Sequence, residues 1–263
     1  MGVDYVSDLR DVLRAERRRM RMTRDQVGRA VGLSGASIAA FEQGRLIPQP
    51  DTAVRLDQVF KTGDKIQRGA EEARDDARPS WLRPWTEHEQ RATMLRSFEH
   101  SLIPGLLQTE AYTRALLQSG RLPDDVIERT VQVRRERQAA TVDRPKPPMF
   151  CAVIGEAALG YGPADVMREQ LTHLLEASRR PQVQILVVPR TAGLHPGLAG
   201  AFVLATLPLR HRSVYLDDQL RGRTVTDGAD VDELERSWEI VRGLALPVNL
   251  SQDLITKAIN DYH

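Results

Sequence analysis

Residues 23–44, TRDQVGRAVGLSGASIAAFEQG, constrain the fold of this chain more than any other stretch. Thr23 and Gln26 have the spacing of a capping box, and Gly32 can supply the left-handed residue that ends a short helix. Ser34 can then cap a second helix, which a further glycine ends. The pattern therefore predicts two short helices joined by a tight turn.

Further helices are predicted on both sides of this pair. Apolar residues at helical spacing predict a helix over 7–20, and Asp51 can cap another one. Residues 63–80 are charged and poor in large apolar side chains, which is typical of a linker or a solvated helix. We therefore expect an all-α domain over 1–62, a charged linker over 63–80 and a second domain over 81–263.

The second domain has helical patterns first and strand-like runs later. The helical pattern breaks at Pro104, and the short runs rich in β-branched residues begin after residue 148. We expect an α+β domain in which helices are followed by a small sheet of four or five strands, flanked by helices. The apolar faces around Leu171, Leu174 and Trp238 fit the core of this domain better than a dimer contact.

Charge and cysteine content limit the classes of function. Lysine and arginine number 37 against 36 acidic residues, so the whole chain gives no general signal for polyanion binding. Between residues 9 and 45, however, nine arginines face four acidic residues, which makes a local basic patch. One cysteine, no apolar leader and no long apolar run predict a cytoplasmic protein that does not enter a membrane.

Residues 9–60 resemble the Cro/repressor type of helix-turn-helix, often called the XRE family. The resemblance rests on Thr23, Val27, Val31, Gly32, Leu33, Ile38, Phe41, Glu42 and Gly44, which match the caps, core and turns of that family. It implies binding to double-stranded DNA, with the second helix of the pair in the major groove. It also implies a structural pair between Arg17 and Glu42 that holds this helix in place.

Two groups of residues are candidates for contact with DNA. Phosphate contacts are expected from Arg24, Gln26 and Arg45. The reading helix is expected to offer Ser34, Gly35, Ala36, Ser37 and Ala40 to the groove. Such small side chains cannot form the bidentate hydrogen bonds that read guanine or adenine, so DNA shape would contribute to selectivity. The alternative is a helix-turn-helix that has lost base reading and serves in protein contacts.

The second domain resembles the C-terminal domain of antitoxin-like regulators from actinobacteria, the WhiJ-like group. The motifs that carry this resemblance are IPGLLQTEAYTRALL and ERTVQVRRERQ, followed in order by shorter matches to the end of the sheet region. The resemblance implies a small protein partner, often encoded nearby. It does not establish a small-molecule effector, which stays open.

The sequence contains no motif that indicates catalysis. Cys151 lies in an apolar run, where thiols are usually inert, and His195 lies in a glycine-rich loop. Neither metal-ligand spacing nor a phosphate-binding glycine loop occurs, so we predict no catalytic residue, metal or cofactor.

These observations lead to two hypotheses about function. The first is a sequence-specific DNA-binding transcriptional regulator, acting as a homodimer, whose second domain dimerises or senses a small protein partner or ligand. The second is an antitoxin-like interaction module that neutralises a partner, with DNA binding serving autoregulation.

Overall fold

The computed structural model describes residues 5–77, 82–217 and 222–262, and it divides the chain into two compact units. The first unit comprises Met1–Ser80 together with Arg121–Val133, and the second comprises Trp81–Gly120 together with Arg134–His263. The first unit is helical and the second contains a mixed sheet, which confirms the predicted fold class.

The first unit is built around five helices, and its core contains Leu13, Val27, Ile38, Leu56 and Phe60. The helices are α1 (Tyr5–Arg19), α2 (Arg24–Val31), α3 (Gly35–Gln43), α4 (Pro50–Phe60) and α5 (Lys65–Ala77). The residues from Arg121 to Val133 add the first part of a later helix to this unit. In that part, the Gln132 side chain forms two hydrogen bonds with the backbone of Ile47. Its side-chain amide donates to the Ile47 carbonyl oxygen, and its Oε1 accepts from the Ile47 amide at 2.9 Å.

The charged segment after α4 is a packed helix for most of its length, so the prediction of a linker over 63–80 was wrong for α5. Its buried face consists of Ile66, Ala70 and Ala73. The buried carboxylate of Asp57 accepts hydrogen bonds from the backbone amides of Ile66 and Gln67, each at 2.9 Å, and so caps α5 from outside. Small alanines suffice for a close helix contact, which explains why the segment looks polar in sequence. Residues 78–80 lie outside the described part of the chain.

The second unit is organised around a six-stranded sheet in the order β3-β2-β1-β4-β5-β6. Strands β1, β2 and β3 are parallel, whereas β4, β5 and β6 pair antiparallel. The strands are β1 (Met94–Glu99), β2 (Met149–Gly155), β3 (Val183–Val188), β4 (Phe202–Thr206), β5 (Arg212–Leu216) and β6 (Arg223–Val225).

Helices cover both faces of this sheet. They are α6 (Arg83–Arg91), α7 (Glu110–Ser119), α8 (Asp124–Thr141), α9 (Ala164–Ala177), α10 (Gly228–Leu244) and α11 (Val248–Asn260). One face packs against Trp85, Leu171 and Leu174, and the other packs against Trp238. Leu171, Leu174 and Trp238 are therefore core residues, as their sequence pattern predicted in preference to a dimer contact.

Strand β1 lies at the centre of the sheet, although the sequence predicted helix there and strands only after residue 148. Leu95 and Phe98 are three residues apart, which resembles a helical repeat. In the structure they lie on opposite faces of β1, and both are buried because helices cover the sheet on both sides. The sequence also did not predict strand β6. The sheet therefore has six strands, whereas four or five were predicted.

No helix in the described ranges combines the length and apolar character that crossing a bilayer requires.

Candidate nucleic-acid interface

The turn between α2 and α3 is held by caps on both sides. Thr23 Oγ1 accepts from the amide of Gln26 at 3.2 Å, and Gln26 Oε1 accepts from the amide of Thr23 at 2.7 Å. Gly32 closes α2 with a φ of 74°, which a residue without a side chain adopts at little cost. Gln26 is thus engaged in the cap while it remains at the surface. Contact with a phosphate stays a prediction for this residue.

Gly28 sets how closely α2 approaches the turn, a role that the sequence analysis did not assign. A Cβ atom at this position would lie 2.7 Å from the carbonyl oxygen of Leu33 and 2.9 Å from the carbonyl carbon of Ser34. Both neighbours are backbone atoms, which cannot move aside as a flexible side chain can. The close packing of the turn on α2 therefore requires glycine, and a glycine inside a helical pattern was the available signal.

The first turn of α3 presents small groups at the surface. Ser34 Oγ accepts from the amide of Ser37 at 3.1 Å, and the two hydroxyl oxygens lie 3.0 Å apart. Ser34 and Ala36 are exposed, while Gly35 and Ser37 are partly exposed. A side chain on Gly35 would collide with the carboxylate of Asp25, so this glycine accommodates its neighbour in α2. The four predicted groove positions at the start of α3 are thus accessible to a partner.

Ala40 does not meet the expectation that it faces the groove. It is buried, with 7% of its surface exposed, whereas Ala39 is partly exposed. The carbonyl oxygen of Ala40 accepts the amide of Arg45 at 3.0 Å where α3 ends. The long polar side chain on the exposed side of α3 is Gln43, which the sequence analysis did not select. Glutamine can bind adenine through two hydrogen bonds, so Gln43 joins the candidates in place of Ala40.

Glu42 joins three parts of the first unit through two arginines. Arg17 Nε donates to Glu42 Oε1 at 2.5 Å and Arg17 Nη2 donates to Oε2 at 3.2 Å, while Arg17 Nη1 donates to the Met22 carbonyl oxygen. Arg24 Nε donates to the same Oε2 at 2.8 Å. Burial alone would raise the pKa of Glu42, but the hydrogen bonds from Arg17 and Arg24 outweigh it and lower the pKa. The carboxylate therefore stays charged and links α1, α2 and α3.

This cluster gives Arg24 a second role beside its predicted phosphate contact. The Arg17 side chain is 16% exposed, whereas the Arg24 side chain is 45% exposed and keeps donors at the surface. Two guanidinium groups against one carboxylate leave the cluster of Arg17, Arg24 and Glu42 with a net positive charge. A helix N-terminus with such a charge favours an anion, which fits a phosphate of the DNA backbone.

Other arginines extend the positive surface. Arg45 is exposed just after α3, and its Nε donates to Gln43 Oε1 at 2.8 Å. Arg18, Arg21 and Arg29 are also exposed, and in the described ranges the side chain of none of these three forms a hydrogen bond or an ion pair. Their presence around α2 and α3 supplies sequence-independent attraction for a polyanion.

The thiol considered in the sequence analysis has an unreactive environment. Cys151 Sγ lies on β2 and donates to Gln184 Oε1 at 3.3 Å. Burial raises the pKa of Cys151 to about 11, so the group is a neutral thiol at physiological pH.

Comparison with known proteins found two family models along the chain. Residues 8–68 match the model of a helix-turn-helix domain, and residues 82–257 match that of a domain of unknown function, DUF5753. A search of curated proteins and a search of solved structures found no match. The first model covers α2, the turn and α3, so the helix-turn-helix predicted from the caps and glycines is confirmed and indicates DNA binding.

Proposed function

Because the chain belongs to the DUF5753 family and carries a helix-turn-helix domain ahead of that family's domain, we propose that it is a sequence-specific DNA-binding transcriptional regulator. The observation that carries this proposal is the exposed first turn of α3, with positive charge on both sides of it. Backbone and small side chains there can approach the floor of the major groove closely. Arg24 and Arg45 would bind phosphates and set the register of α3 on the duplex.

The second unit has the regulatory role in this proposal. We assign to it self-association into a homodimer and the sensing of a signal, which is either a small protein encoded nearby or a small molecule. A dimer would place two α3 helices on half-sites about 34–36 Å apart, so the operator would be an inverted repeat. The exposed side chains of Leu194, Leu209 and Ile240 give this unit apolar surface that fits an interaction with another protein. The resemblance to the WhiJ-like, antitoxin-like group of actinobacteria supports a protein signal, acting in the cytoplasm.

Selection of bound duplexes from a random pool, followed by sequencing, tests the proposal. We expect an inverted repeat to be enriched, and light scattering of the free protein should give the mass of a dimer. Enrichment of no sequence at all, with affinity that depends only on salt, would contradict sequence-specific binding. A monomeric mass together with enrichment of a single half-site would contradict the dimer.

The phosphate contacts are tested by the salt dependence of DNA affinity. Replacing Arg45 by alanine should weaken binding to all sequences and lower the slope of log affinity against log salt by about 0.9. Arg236→Ala is the matched control, since Arg236 is an exposed arginine on α10. Fluorescence anisotropy at several salt concentrations gives both slopes. An Arg45→Ala slope equal to that of the control would remove Arg45 from the interface.

The antitoxin-like alternative differs in the main activity of the second unit. It predicts that a small protein co-purifies with the chain from its own cells and loses a toxic effect when bound. DNA binding would then be restricted to the promoter that precedes the chain's own coding region. Occupancy of many unrelated promoters in the cell would favour the general regulator over this alternative.

A further inference from the structure

A cavity of about 230 Å³ lies within the second unit, over one face of the sheet. Ser97 and Glu99 of β1 and Tyr215 of β5 line it from the sheet, and Arg134 of α8 also lines it. For comparison, a cavity of about 150 Å³ is enough to hold benzene inside a protein. The space is therefore large enough for a small organic molecule.

The floor of the cavity contains a buried hydroxyl group without a partner. Ser97 is 3% exposed, and side chains alternate along β1, so Ser97 lies on the same face of the sheet as Leu95 and Glu99. In the described ranges the Ser97 hydroxyl forms no hydrogen bond. Buried polar groups normally have a partner, because an unsatisfied one loses its hydration without replacement. The Ser97 hydroxyl is therefore available to a ligand in the cavity.

The carboxyl group of Glu99 is a second polar group without a partner on this floor. Neither a hydrogen bond nor an ion pair engages it in the part of the chain that the structure describes. Burial raises the pKa of Glu99 to about 8, and the charge of Asp217 adds to this effect while Arg134 opposes it. At neutral pH the group is therefore a carboxylic acid, which offers one O–H donor and one carbonyl acceptor.

The charged groups of the lining balance one another. Arg137 pairs with the fully buried Glu89, with Nε at 2.5 Å from Oε2 and Nη2 at 2.7 Å from Oε1. Among the lining residues that the structure describes, the remaining charges are the guanidinium of Arg134 and the carboxylate of Asp217. With Glu99 protonated, the lining has no net charge. It therefore offers no compensation for the cost of removing an ionic ligand from water.

Ser97 and Glu99 are close enough to bind one polar group together. They are two residues apart on β1, which is roughly 6.6 Å at a rise of about 3.3 Å per residue. A primary amide spans part of this distance, and a hydrogen bond at each end of the amide spans the rest. Its oxygen can accept from the Glu99 O–H while its N–H donates to the Ser97 hydroxyl oxygen. The cavity also has apolar walls, which are formed by Leu106, Leu116 and Phe150.

We propose that this cavity binds a small uncharged molecule that carries a primary amide, or a group with the same donor and acceptor, on an apolar body somewhat larger than benzene. The amide would lie between Ser97 and Glu99, and the apolar body would pack against the leucine and phenylalanine walls. Such a ligand gives both groups a partner without bringing a charge into the cavity. The role of this ligand as an effector rests on the proposed regulatory function, whereas its binding does not.

Three matched probes test the proposal on the full chain: 3-phenylpropionamide, 3-phenylpropionate and 3-phenylpropylamine. They share a phenyl ring and a short carbon chain, and at neutral pH their end groups are uncharged, negative and positive. Calorimetric titration should show that the amide binds at least about tenfold more tightly than either ion, a difference of about 1.4 kcal/mol. Equal binding of all three probes, preference for either ion, or no saturable binding of the amide would overturn the proposal.

Variants distinguish hydrogen bonding from apolar burial of the ligand. Glu99→Gln keeps an uncharged donor and acceptor and should retain the affinity for the amide, whereas Glu99→Leu removes both. Glu99→Leu and Ser97→Ala should each weaken amide binding by roughly threefold to tenfold. Glu239→Gln is the control, since Glu239 is an exposed glutamate on α10.

Two outcomes of this series would refute the assignment. One is an amide affinity equal to that of the control in both Glu99→Leu and Ser97→Ala. The other is loss of amide binding by a folded Glu99→Gln protein, which keeps the hydrogen-bonding groups that the proposal requires.

The affinity of the wild-type protein for the amide should be constant at neutral pH and fall as the pH rises above about 8, because Glu99 then loses the proton that the amide oxygen accepts. Glu99→Gln should show no such fall. The titratable or charged groups that line the cavity with Glu99 or interact with its charge are Glu89, Tyr112, Arg134, Arg137, Tyr215 and Asp217. A wild-type affinity that is independent of pH across this range would contradict the role of Glu99.

DNA binding is measured separately by fluorescence anisotropy. Amide binding without DNA binding would refute the proposed function alone. Specific DNA binding without amide binding would refute this site alone.

Discussion

Removal of the Glu42 carboxylate should destabilise the first unit strongly. The Glu42 side chain is 1% exposed and receives hydrogen bonds from two arginines, one of them 16% exposed and the other 45% exposed. Glu42→Ala would leave the Arg17 guanidinium largely buried and without its carboxylate. Breaking a buried ion pair by removing one partner typically costs about 3–5 kcal/mol, whereas an exposed pair is worth under about 1 kcal/mol. Since Arg17 keeps some access to solvent, we expect about 3 kcal/mol.

The structure also ranks the other members of this cluster. Arg17→Ala should cost nearly as much as Glu42→Ala, because it removes the bidentate partner and the hydrogen bond to Met22. Arg24→Ala should cost under about 1 kcal/mol, because that side chain is half-exposed. Asp11→Ala is the control, since the Asp11 side chain is 72% exposed and its ion pair with Arg14 spans 3.8 Å. We expect little change from it.

Two spectroscopic signals distinguish the units in this experiment. All three tryptophans belong to the second unit, so tryptophan fluorescence reports on that unit, while circular dichroism at helical wavelengths reports on both. For a unit of this size a loss of 3 kcal/mol corresponds to a lower melting temperature by roughly 12–24 °C. The shift should appear in circular dichroism and not in fluorescence. Melting of Glu42→Ala within the error of Asp11→Ala would refute the argument that the cluster is buried and stabilising.

The pKa of Glu42 adds a dependence on pH to the same prediction. Its folded-state pKa is lowered, so its contribution is fully present above its ordinary pKa of 4.5 and is lost as pH falls through the folded value. Glu42→Gln should abolish this loss. Acid melts of the two proteins should therefore converge as the pH decreases. Parallel curves would contradict a charged Glu42 in the folded state.

Three further predictions concern glycine packing, a helix cap and a partly buried acid. Gly28→Ala should destabilise the first unit by about 1–3 kcal/mol in thermal melts, because its Cβ would meet backbone. The control is Gly69→Ala in α5, where the added Cβ would lie 3.3 Å from the end of the Leu9 side chain, so this variant should be neutral or stabilising. Equal losses of stability in the two variants would contradict the close approach of α2 to the turn at Gly28. Ser34→Ala should lower the free energy of unfolding by about 1 kcal/mol, and Ser34→Gly should lower it by only a few tenths, as measured by chemical unfolding. An unchanged free energy in Ser34→Ala would show that the cap of α3 does not stabilise the unit. In the second unit, folded Glu99 holds its proton up to a pH of about 8 instead of 4.5, so up to roughly 5 kcal/mol of stability present at low pH is lost as pH rises through this range. Urea unfolding followed by tryptophan fluorescence should show this decline in wild type and not in Glu99→Gln, and equal declines would refute it.

The candidate interface could be located from sequence because its local geometry depends on neighbouring residues. The capping box of α2 and the hydroxyl cap of α3 each join residues three apart, and the glycine stop acts on its own helix. The sequence could not identify Ala40 as buried or Gln43 as the exposed polar residue of α3, because the rotation of α3 depends on what packs against it. Nor could it show that Arg24 shares the carboxylate of Glu42, since the two lie on different helices.

By itself, therefore, the sequence determined the helix-turn-helix, the division into an all-α and an α+β part, and the local excess of arginine. Only the tertiary structure decided that residues 94–99 form the central strand, that Asp57 caps α5, and that Glu99 and Asp217 line one cavity. The physical reason is the range of the interactions. Caps and turns form between residues a few positions apart, so their pattern is visible in the chain. Strand pairing, burial on two faces and the meeting of two acids at one cavity depend on residues that only folding brings together.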